Sequence, residues 1–363
     1  MLIAGAGLAG LCAAARAREL GAEPVVLEKG SRAGGSMLLS SGVIWRYRSF
    51  EEFRAQCPGG DERLQRLVFD GLDEGLEWLE SLGGPVVERE TGNPLTHGVR
   101  FDTQGLTDVL VRAAGDVRFG QGQGTVPGAW PEGTVVLATG GFQGNRELVE
   151  RYVRPAAPLR LRANPWSTGD GLRAGLERGA TLSGGLDEFY GRNMADVEFG
   201  EGEFVSLAQV YGRYARIVNE RGEEFFDGHA VSWSELDLVQ ATSHQPGARA
   251  WYLLGEAALE QRVRYGTVRD LVAQAPTRVE PDELPFPAPD GAVAAVRVAA
   301  AITHTIGGLR IDDRARVVTS EGQSLEGLYA AGADAGGIST GGYASGLASA
   351  LVLGRAAAED ALR

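Results

Sequence analysis

Three glycines and one carboxylate near the start of the chain have the spacing of a nucleotide-binding turn. Gly5, Gly7 and Gly10 follow a first apolar run, and Glu28 ends a second one, Val25–Leu27. In such a turn the first glycine allows a sharp bend, the second lets the backbone approach a pyrophosphate, and the third lets the helix pack closely on the sheet. The N-terminus of that helix attracts phosphates, and the carboxylate accepts hydrogen bonds from ribose hydroxyls. The pattern predicts a site for an adenine dinucleotide.

A second glycine pair, Gly34-Gly35, follows the carboxylate and precedes Ser36. A glycine fingerprint alone is a weak signal, because a glycine-rich turn between a strand and a helix can be purely structural. Together with Glu28 and the second pair, the segment resembles the flavoprotein form of the fingerprint, in which the pair lets the chain pass close to the FAD pyrophosphate. The first 36 residues therefore favour FAD over NAD.

The elements that position these residues can be predicted from apolar spacing and breaker residues. The chain opens with a strand, a glycine turn, a helix over Leu11–Leu20 and a second strand, which begin a βαβ unit. A buried strand is predicted at Thr134–Ala138, running into Gly140, and the glycine density between Gly120 and Gly133 indicates a turn region. Further helical patterns cover residues 50–82, 105–114, 145–152, 169–179 and 347–362.

Composition and charge limit the classes of partner. The length of 363 residues suggests two domains, and 44% hydrophobic with 23% charged residues is ordinary for a globular protein. The formal net charge of −13 argues against a nucleic acid or an anionic membrane as partner. Lys29 is the one lysine among 35 basic residues, so an anionic substrate must be met by arginine.

The cysteines and apolar runs favour a cytoplasmic protein. Cys12 and Cys57 form neither a disulfide framework nor a CxxC metal or haem motif, and such usage fits a reducing compartment. The first residues enter a strand directly, so we expect no leader peptide, and no apolar run reaches membrane-spanning length. We expect no membrane contact and no metal site.

Motifs spread over most of the chain resemble those of the fumarate reductase and succinate dehydrogenase flavoprotein superfamily, and within it the tricarballylate dehydrogenase-like and 3-ketosteroid dehydrogenase-like members. Besides the N-terminal fingerprint they are segments 138–142 (ATGGF), 168–171 (TGDG), 218–225 (VNERGEEF), 303–309 (THTIGGL) and 327–332 (GLYAAG). The resemblance implies an α/β fold: an FAD-binding Rossmann-like domain of the glutathione reductase type, formed by residues 1–185 and 296–363. A smaller α+β capping domain would be inserted at residues 186–295.

The resemblance also implies a reaction class. Members of this superfamily move a hydride between the flavin and one carbon, while a protein acid or base handles a proton on the neighbouring carbon. We therefore expect an FAD-dependent oxidoreductase that makes or reduces a C=C bond next to a carbonyl or carboxylate in a small organic molecule. Such a C–H bond becomes acidic only when positioned donors stabilise the developing enolate, so the site needs a hydrogen-bond donor and a base shielded from water.

The resemblance and the residue types together nominate His304 and Tyr343 as catalytic residues. His304 lies in a His-Thr-x-Gly-Gly segment, whose glycines would let the backbone approach the isoalloxazine and whose imidazole can bond a substrate oxygen. Tyr343 lies in a segment that resembles the one in which ketosteroid dehydrogenases present a tyrosine to the substrate carbonyl. Its phenol could polarise that carbonyl or transfer a proton. The alternatives are a histidine satisfied in the core and a tyrosine that packs against the flavin.

Three departures from the family pattern refine these expectations. Residues 229–235 contain no arginine where fumarate reductases place their proton donor, so we do not expect fumarate reduction. Ala333 and Asp334 stand where the family often has a glutamate, which nominates Asp334 as the contact to the flavin ribityl chain. No histidine lies within residues 34–45, where the succinate dehydrogenase-type members attach the flavin, so we expect FAD to be bound non-covalently.

Further contacts follow from the same motifs. The expected FAD-binding residues are Gly5, Gly7, Leu8, Ala9, Gly10, Glu28, Lys29, Gly34, Gly35, Ser36, Ser41, Gly42, Ala138, Thr139, Gly140, Asp170, Gly332, Asp334, Gly346 and Leu347. In the inserted domain the candidate substrate contacts are Tyr190, Arg192, Tyr211, Arg213 and Tyr214. On a strand, Tyr211 and Arg213 would share one face and Tyr214 would lie on the other. Surface arginines and strand-packing tyrosines are common, so a structural role is the alternative for each.

Two other functions could use the same scaffold. One is an FAD-dependent amine or alcohol oxidase, which would produce peroxide from such substrates. The other is a flavin-binding scaffold without catalysis, which the intact glycine motif argues against. The sequence contains no haem motif or second nucleotide fingerprint, so we expect electrons to pass to or from a separate carrier, oxygen or a quinone.

Overall fold

In the computed structural model, the described residues are 1–120, 133–263 and 266–363. They form two compact units. The first comprises Met1–Leu148, Ala163–Glu188 and His304–Arg363, and the second comprises Val149–Arg162 and Phe189–Thr303. Residues 149–162 pack with the second unit, although the sequence prediction groups them with residues 1–185.

The regular elements are mostly short strands, with two long helices. In chain order the strands are β1 (Leu2–Ala4), β2 (Val25–Leu27), β3 (Val43–Tyr47), β4 (Val86–Glu88), β5 (Thr96–Phe101), β6 (Asp116–Arg118), β7 (Val135–Leu137), β8 (Arg160–Leu161), β9 (Phe189–Ala195), β10 (Arg216–Val218), β11 (Glu224–Phe226), β12 (Arg249–Leu254), β13 (Arg262–Val263), β14 (Gly266–Thr267), β15 (Arg278–Val279), β16 (Ala294–Thr305), β17 (Arg316–Val318) and β18 (Ser324–Ala330). The α-helices are α1 (Leu8–Glu19), α2 (Gly35–Leu38), α3 (Phe50–Gln56), α4 (Glu62–Ser81), α5 (Thr103–Ala114), α6 (Arg146–Tyr152), α7 (Asp170–Glu177), α8 (Leu236–Ser243), α9 (Glu256–Leu259), α10 (Val268–Gln274) and α11 (Gly346–Ala361).

The first unit is built on a sheet whose described strands have the order β17-β18-β7-β1-β2-β6. β1 pairs in parallel with β2 and β7, β2 with β6, and β18 with β7, while β17 is antiparallel to β18. Strands of a covered parallel sheet are apolar on both faces, and Ile3, Val26 and Val136 are fully buried here. Because parallel strands end at the same edge, the glycine turn after β1, Glu28 after β2 and Thr139 after β7 lie along one edge of the sheet.

The first unit also contains a small antiparallel sheet with the strand order β3-β5-β4, and helices α3 and α4 pack against it. The helical spacing over residues 50–82 corresponds to these two helices, which a break at Pro58-Gly59-Gly60 separates. Each begins at a side-chain cap: Ser49 accepts the Glu52 N–H, and Asp61 accepts the N–H groups of Arg63 and Leu64. The break and the cap matter for the site, because residues 57–65 contact the segment that carries Tyr343.

The second unit has a mainly antiparallel sheet with the described order β11-β10-β12-β16-β15, and β8 and β9 also pair with β16. Its core contains Ile217, Leu238, Tyr252 and Val296, each fully buried. The whole described chain is thus a mixed α/β structure with a parallel sheet in its first unit.

Several predicted elements are present as expected. The helices predicted over 105–114, 169–179 and 347–362 are observed as α5, α7 and α11, with ends that differ by at most two residues. Most of the turn region predicted between Gly120 and Gly133 lies outside the described residues. Among the residues that the structure describes, no helix combines the length and the apolar character needed to cross a lipid bilayer.

Candidate functional site

Two of the three glycines in the first turn are required by close backbone packing. Gly5 has φ +106°, and a Cβ atom there would lie 2.2 Å from the carbonyl oxygen of Ala138. A Cβ on Gly10 would lie 1.9 Å from the carbonyl oxygen of Gly5. Any side chain at these positions would push α1 or β7 away from β1, so the glycines set the geometry of the turn.

Gly7 is different, because its open side faces no protein atom. It caps the N-terminus of α1 in an extended conformation, φ −77° and ψ −178°, and a Cβ there would meet nothing within 4 Å. The second glycine pair lies beside it: a Cβ on Gly35 would be 3.1 Å from the Gly7 Cα, and the Gly34 N–H donates to the Ala6 carbonyl at 2.8 Å. The two glycine segments therefore meet at a helix N-terminus that a phosphate group could approach. We call residues 1–36 the glycine cradle.

Glu28 is held inside the cradle by backbone donors. Its side chain is 7% exposed, Oε2 accepts the Ala6 N–H at 2.8 Å, and Oε1 accepts the Gly30 N–H at 2.7 Å. An ionised carboxylate has about four acceptor sites, so these bonds leave capacity for two hydroxyl donors. The arrangement fits a group that carries two ribose hydroxyls.

Next to Glu28, Lys29 makes an ion pair within the protein. Its Nζ lies 2.8 Å from the Asp170 Oδ2 and 2.5 Å from the Thr168 Oγ1, and Asp170 also pairs with Arg173 at 2.6 Å. The two predicted FAD contacts, Lys29 and Asp170, are thus brought together. Their bonds join the end of β2 to the start of α7.

A cavity of about 440 Å³ lies beside the glycine pair. Thr107 and Leu38 line it and also approach Gly34, and the other lining residues include Arg32, Asp108, Arg112 and Phe119. This volume is within the range of small-molecule sites. The open face at Gly7, the acceptor capacity of Glu28 and this cavity together fit a dinucleotide such as FAD.

Asp334 is buried, and its carboxylate accepts hydrogen bonds from the residues that follow β7. It is 1% exposed and accepts the Thr139 N–H at 2.5 Å, the Thr139 hydroxyl at 3.0 Å and the Gly141 N–H at 3.1 Å. Burial raises the pKa of Asp334 above its ordinary value. Its carboxylate oxygens accept three bonds within the protein, and a direct contact to the ribityl chain stays a prediction. These bonds position Thr139, Gly140 and Gly141 against the turn at Gly332–Asp334.

The remaining predicted FAD contacts vary in exposure. Leu8, Ala9 and Ala138 are buried, Ser36 and Leu347 are half-buried, and Ser41 is exposed. Gly42 is required by backbone packing, because a Cβ there would lie 2.3 Å from the Phe101 carbonyl oxygen. Gly332 has φ +66° and faces Ala9, where a Cβ would lie 3.2 Å from the alanine methyl carbon.

His304 lies against the N-terminus of α11. A Cβ on Gly346, the first residue of that helix, would be 3.3 Å from the His304 Cε1, so the imidazole packs on the glycine face. Burial lowers the pKa of His304 to about 4, and the ring is therefore neutral near pH 7. Ser345 caps the helix by accepting the Ala348 N–H at 3.3 Å.

Tyr343 is three residues before that helix and is held by strand β3. The Tyr47 hydroxyl donates to the Tyr343 carbonyl oxygen at 2.5 Å, and the Trp45 ring meets the Tyr343 ring edge-to-face, with centroids 5.5 Å apart. Tyr343 itself is half-buried. The structure thus brings both candidate catalytic residues, which the sequence separates by 39 positions, to one end of α11.

The candidate substrate contacts in the second unit have different environments. Tyr190 and Arg192 lie two residues apart on β9 and share a face, with the guanidinium carbon 5.3 Å from the ring centroid. Tyr211 is fully buried and donates to the Gln209 Oε1 at 2.6 Å, so it is a core residue and has no surface for a substrate. Arg213 donates to the Val231 carbonyl, and Tyr214 packs on the core while remaining half-buried.

Tyr211, Arg213 and Tyr214 do not lie on a strand. Gly212–Tyr214 forms a turn of 3-10 helix, and β10 begins only at Arg216. The turn arises because Gly212 lies against Leu238, where a Cβ would be 2.3 Å from Cδ2, and its N–H donates to the Glu235 Oε1 at 3.0 Å. The alternation expected for Tyr211, Arg213 and Tyr214 therefore does not apply.

Sequence reasoning missed Glu235, Tyr47 and Gln65. Glu235 is 7% exposed with a left-handed backbone, φ +51°, and burial raises its pKa to about 7, although the charges of Arg192 and Arg213 oppose the shift. In sequence it looks like an acidic residue at the start of a helix, so nothing marks it as buried.

No group of histidine, cysteine, aspartate and glutamate side chains in the described part of the chain has the arrangement of a metal site.

Comparisons with known proteins agree with this geometry. The model of a family described as an FAD binding domain matches residues 1–128 and 129–349. A probable fumarate reductase of Shewanella frigidimarina is 25% identical over 100% of this chain and 74% of its own length. Among solved structures, the open conformation of a flavocytochrome c3 fumarate reductase has a TM-score of 0.72 and 23% identity, covering 99% of this chain and 77% of that one.

A 3-ketosteroid Δ1-dehydrogenase from Sterolibacterium denitrificans has a TM-score of 0.74 at 16% identity, over 99% of this chain and 98% of that one. Identities this low show the fold only, whereas the family match covers almost the whole chain. The chain therefore belongs to the FAD binding domain family, within the fumarate reductase and succinate dehydrogenase flavoprotein superfamily.

Proposed function

We propose that this protein is an FAD-dependent oxidoreductase that makes or reduces a C=C bond next to a carbonyl or carboxylate in a small organic molecule. The observation that carries the proposal is that His304 packs against the N-terminus of α11, and that this helix begins three residues after Tyr343. The chain also belongs to an FAD-binding family. When bound, FAD supplies the hydride acceptor or donor that such a reaction requires.

The glycine cradle would hold the cofactor. Backbone N–H groups of Gly7 and Gly35 would bind the pyrophosphate, while the Gly34 N–H stays on the Ala6 carbonyl, and Glu28 would accept hydrogen bonds from the ribose hydroxyls. The cavity beside Gly34 would take the adenosine end. We propose non-covalent attachment, because residues 34–45 contain no histidine.

His304 would bind a substrate oxygen. A neutral imidazole carries one N–H donor, so it can donate to a carbonyl or an enolate oxygen without first taking up a proton. The positive end of the α11 dipole lies beside the ring and would add to the stabilisation of a developing negative charge. The low pKa of His304 makes it a donor rather than a cationic acid at neutral pH.

Tyr343 would polarise the substrate carbonyl or move the proton on the neighbouring carbon. A phenol is a donor at neutral pH, and it acts as a base only when the surroundings stabilise the phenolate. The edge-to-face contact with Trp45 and the bond from Tyr47 fix its ring and its backbone. A fixed donor loses little entropy when the transition state forms.

The finer organisation is also a proposal. Residues 1–185 and 296–363 would form the glutathione reductase-type FAD domain, and residues 186–295 would form an inserted capping domain that supplies substrate contacts such as Tyr190, Arg192, Arg213 and Tyr214. Since residues 229–235 contain no arginine, we favour a carbonyl-activated substrate over fumarate. A separate electron carrier and a cytoplasmic location complete the proposal.

The test is an anaerobic half-reaction with the purified, FAD-loaded protein. Dithionite-reduced protein is mixed with a cyclic enone, with fumarate or with buffer, and reoxidation is followed by flavin absorbance. We expect reoxidation by the enone, and a roughly 100-fold slower rate in Tyr343→Phe with unchanged FAD content, because loss of one positioned donor typically costs that much. Protein that binds no FAD, or a Tyr343→Phe variant that reacts as fast as wild type, would contradict the proposal. Peroxide release from amines or alcohols would point to an oxidase instead.

A further inference from the structure

The segment that carries Tyr343 is irregular and is held from outside. We call residues 336–345 the Tyr343 loop; it runs from the turn at Gly332–Asp334 to the N-terminus of α11 and contains no helix or strand. Within it, the Gly342 N–H donates to the Ser339 carbonyl at 3.0 Å. Its conformation therefore depends largely on bonds from other segments.

The first half of the loop is bound by residues 57–65. The Asp61 N–H donates to the Gly337 carbonyl at 2.7 Å, and the Gly59 N–H donates to the Thr340 carbonyl at 3.0 Å. Gln65, which is fully buried, donates through Nε2 to the Ile338 carbonyl at 2.8 Å. On the other side the Glu188 carboxylate accepts the Gly341 N–H at 2.7 Å.

The second half of the loop is bound by Tyr47. Its hydroxyl donates to the carbonyl oxygen of Tyr343 at 2.5 Å, while its ring is 1% exposed. Tyr47 and Trp45 lie two residues apart on β3 and so share a face, and their rings meet edge-to-face with centroids 5.3 Å apart. Trp45 in turn contacts the Tyr343 ring. One face of β3 therefore holds both the backbone and the side chain of Tyr343.

We propose that Tyr47 is a positioning residue for the reaction, acting through the Tyr343 backbone. The inference rests on the role proposed above for Tyr343. A phenylalanine would fill the same buried space, so packing alone does not require the hydroxyl, and this hydroxyl donates to the carbonyl oxygen of the candidate catalytic tyrosine. Small displacements of a reacting group reduce rates strongly, because catalysis depends on near-attack geometry.

The experiment compares Tyr47→Phe, Tyr343→Phe and the double variant in the FAD-loaded protein. Tyr329→Phe is the matched control, since it also removes a phenol that bonds a partner, the Asp360 carboxylate, but on strand β18. We expect Tyr47→Phe to lower kcat about tenfold with little change in KM or FAD content. The double variant should be no slower than Tyr343→Phe, because both act through one group.

Hydrogen–deuterium exchange gives a readout that does not depend on turnover. Peptides that cover residues 336–345 should exchange about fivefold faster in Tyr47→Phe, and at the wild-type rate in Tyr329→Phe. Wild-type kcat, unchanged exchange in the Tyr343 loop, or losses that multiply in the double variant would each overturn the role of Tyr47. If Tyr343→Phe alone leaves turnover intact, the proposed function fails first and the role of Tyr47 fails with it.

Discussion

The glycine cradle and the Tyr343 loop belong to the same unit, yet they are held by different kinds of contact. In the cradle, backbone meets backbone: the Gly34 N–H bonds the Ala6 carbonyl, and Gly10 packs on the Gly5 carbonyl. In the loop, buried side chains from far along the chain, Tyr47 and Gln65, bond backbone carbonyls. The loop also has close backbone contacts, since a Cβ on Gly342 would lie 1.7 Å from the Gln56 carbonyl oxygen. The cradle is therefore determined mainly by which residues lack a side chain, whereas the loop depends in addition on the side chains that reach it.

This difference affects how each region tolerates change. A backbone contact that excludes Cβ has no flexible atom that can move aside, so a single methyl group is incompatible with it. A side-chain bond can be lost while the surrounding packing remains, at the cost of one hydrogen bond. We therefore expect substitutions in the cradle to decide whether a flavoprotein forms, and substitutions around the loop to decide how fast it works.

The largest effect is expected for Gly10→Ala. Its methyl group would lie 1.9 Å from the Gly5 carbonyl oxygen, so α1 cannot pack on β1, and we expect little folded protein and no bound FAD. Gly7→Ala is the control, because its φ of −77° suits alanine and its Cβ would meet no protein atom. This variant should keep the wild-type melting temperature without FAD and bind FAD at least tenfold more weakly, as measured by flavin fluorescence titration. A folded Gly10→Ala variant with normal FAD content would contradict the steric argument.

A smaller effect is expected for His304→Gln, which tests a proposed substrate contact outside the glycine cradle. Turnover should fall about tenfold while FAD content stays normal, because the variant removes a substrate contact and leaves the cradle unchanged.

The same variant has a signature in the pH dependence of stability. Burial lowers the pKa of His304 from 6.5 to about 4, so between these values the unfolded chain binds the proton and the folded protein does not. The contribution is fully present above pH 6.5 and is lost as the pH falls towards 4, by about 3 kcal/mol in the free energy of unfolding. Urea unfolding at pH 7 and pH 4.5 should show a smaller pH effect in His304→Gln than in the exposed-site control His97→Gln. Equal pH effects in both variants would contradict the lowered pKa of His304.

How far the sequence predicts each region follows from the same distinction. Gly5 and Gly10 identify the cradle because short-range sterics leave one residue type there, Gly7 completes the spacing, and helices α5 and α11 follow from apolar spacing. Family motifs nominate His304 and Tyr343, but the packing of His304 on Gly346, three residues after Tyr343, depends on tertiary structure. No spacing rule connects them.

The local backbone around Tyr211 also depends on tertiary contacts. On a strand Tyr211 and Arg213 would share a face, but the close packing of Gly212 on Leu238 and the buried acceptor of Glu235 impose a turn. Local preference is overridden here by contacts with residues more than twenty positions away. The motif nominates Asp334 as a cofactor contact, but its three internal hydrogen bonds to residues 139 and 141 depend on tertiary structure and follow from no motif.

The smallest effect is expected for Glu28→Gln, where a side chain acts inside the backbone-built region. Glutamine keeps one oxygen acceptor but turns an NH₂ group towards either the Ala6 or the Gly30 N–H, so one of the bonds at 2.8 and 2.7 Å is lost. Leaving a buried donor unpaired costs about 1–3 kcal/mol of stability. If FAD also uses the free acceptor sites of Glu28, its Kd should rise by about tenfold, whereas a cradle held by glycine sterics alone would keep the wild-type Kd. Isothermal titration of FAD into both proteins separates these outcomes. A raised Kd would show that Glu28, like the glycines, is needed to bind FAD, whereas a wild-type Kd would show that its side chain stabilises the cradle without binding the cofactor.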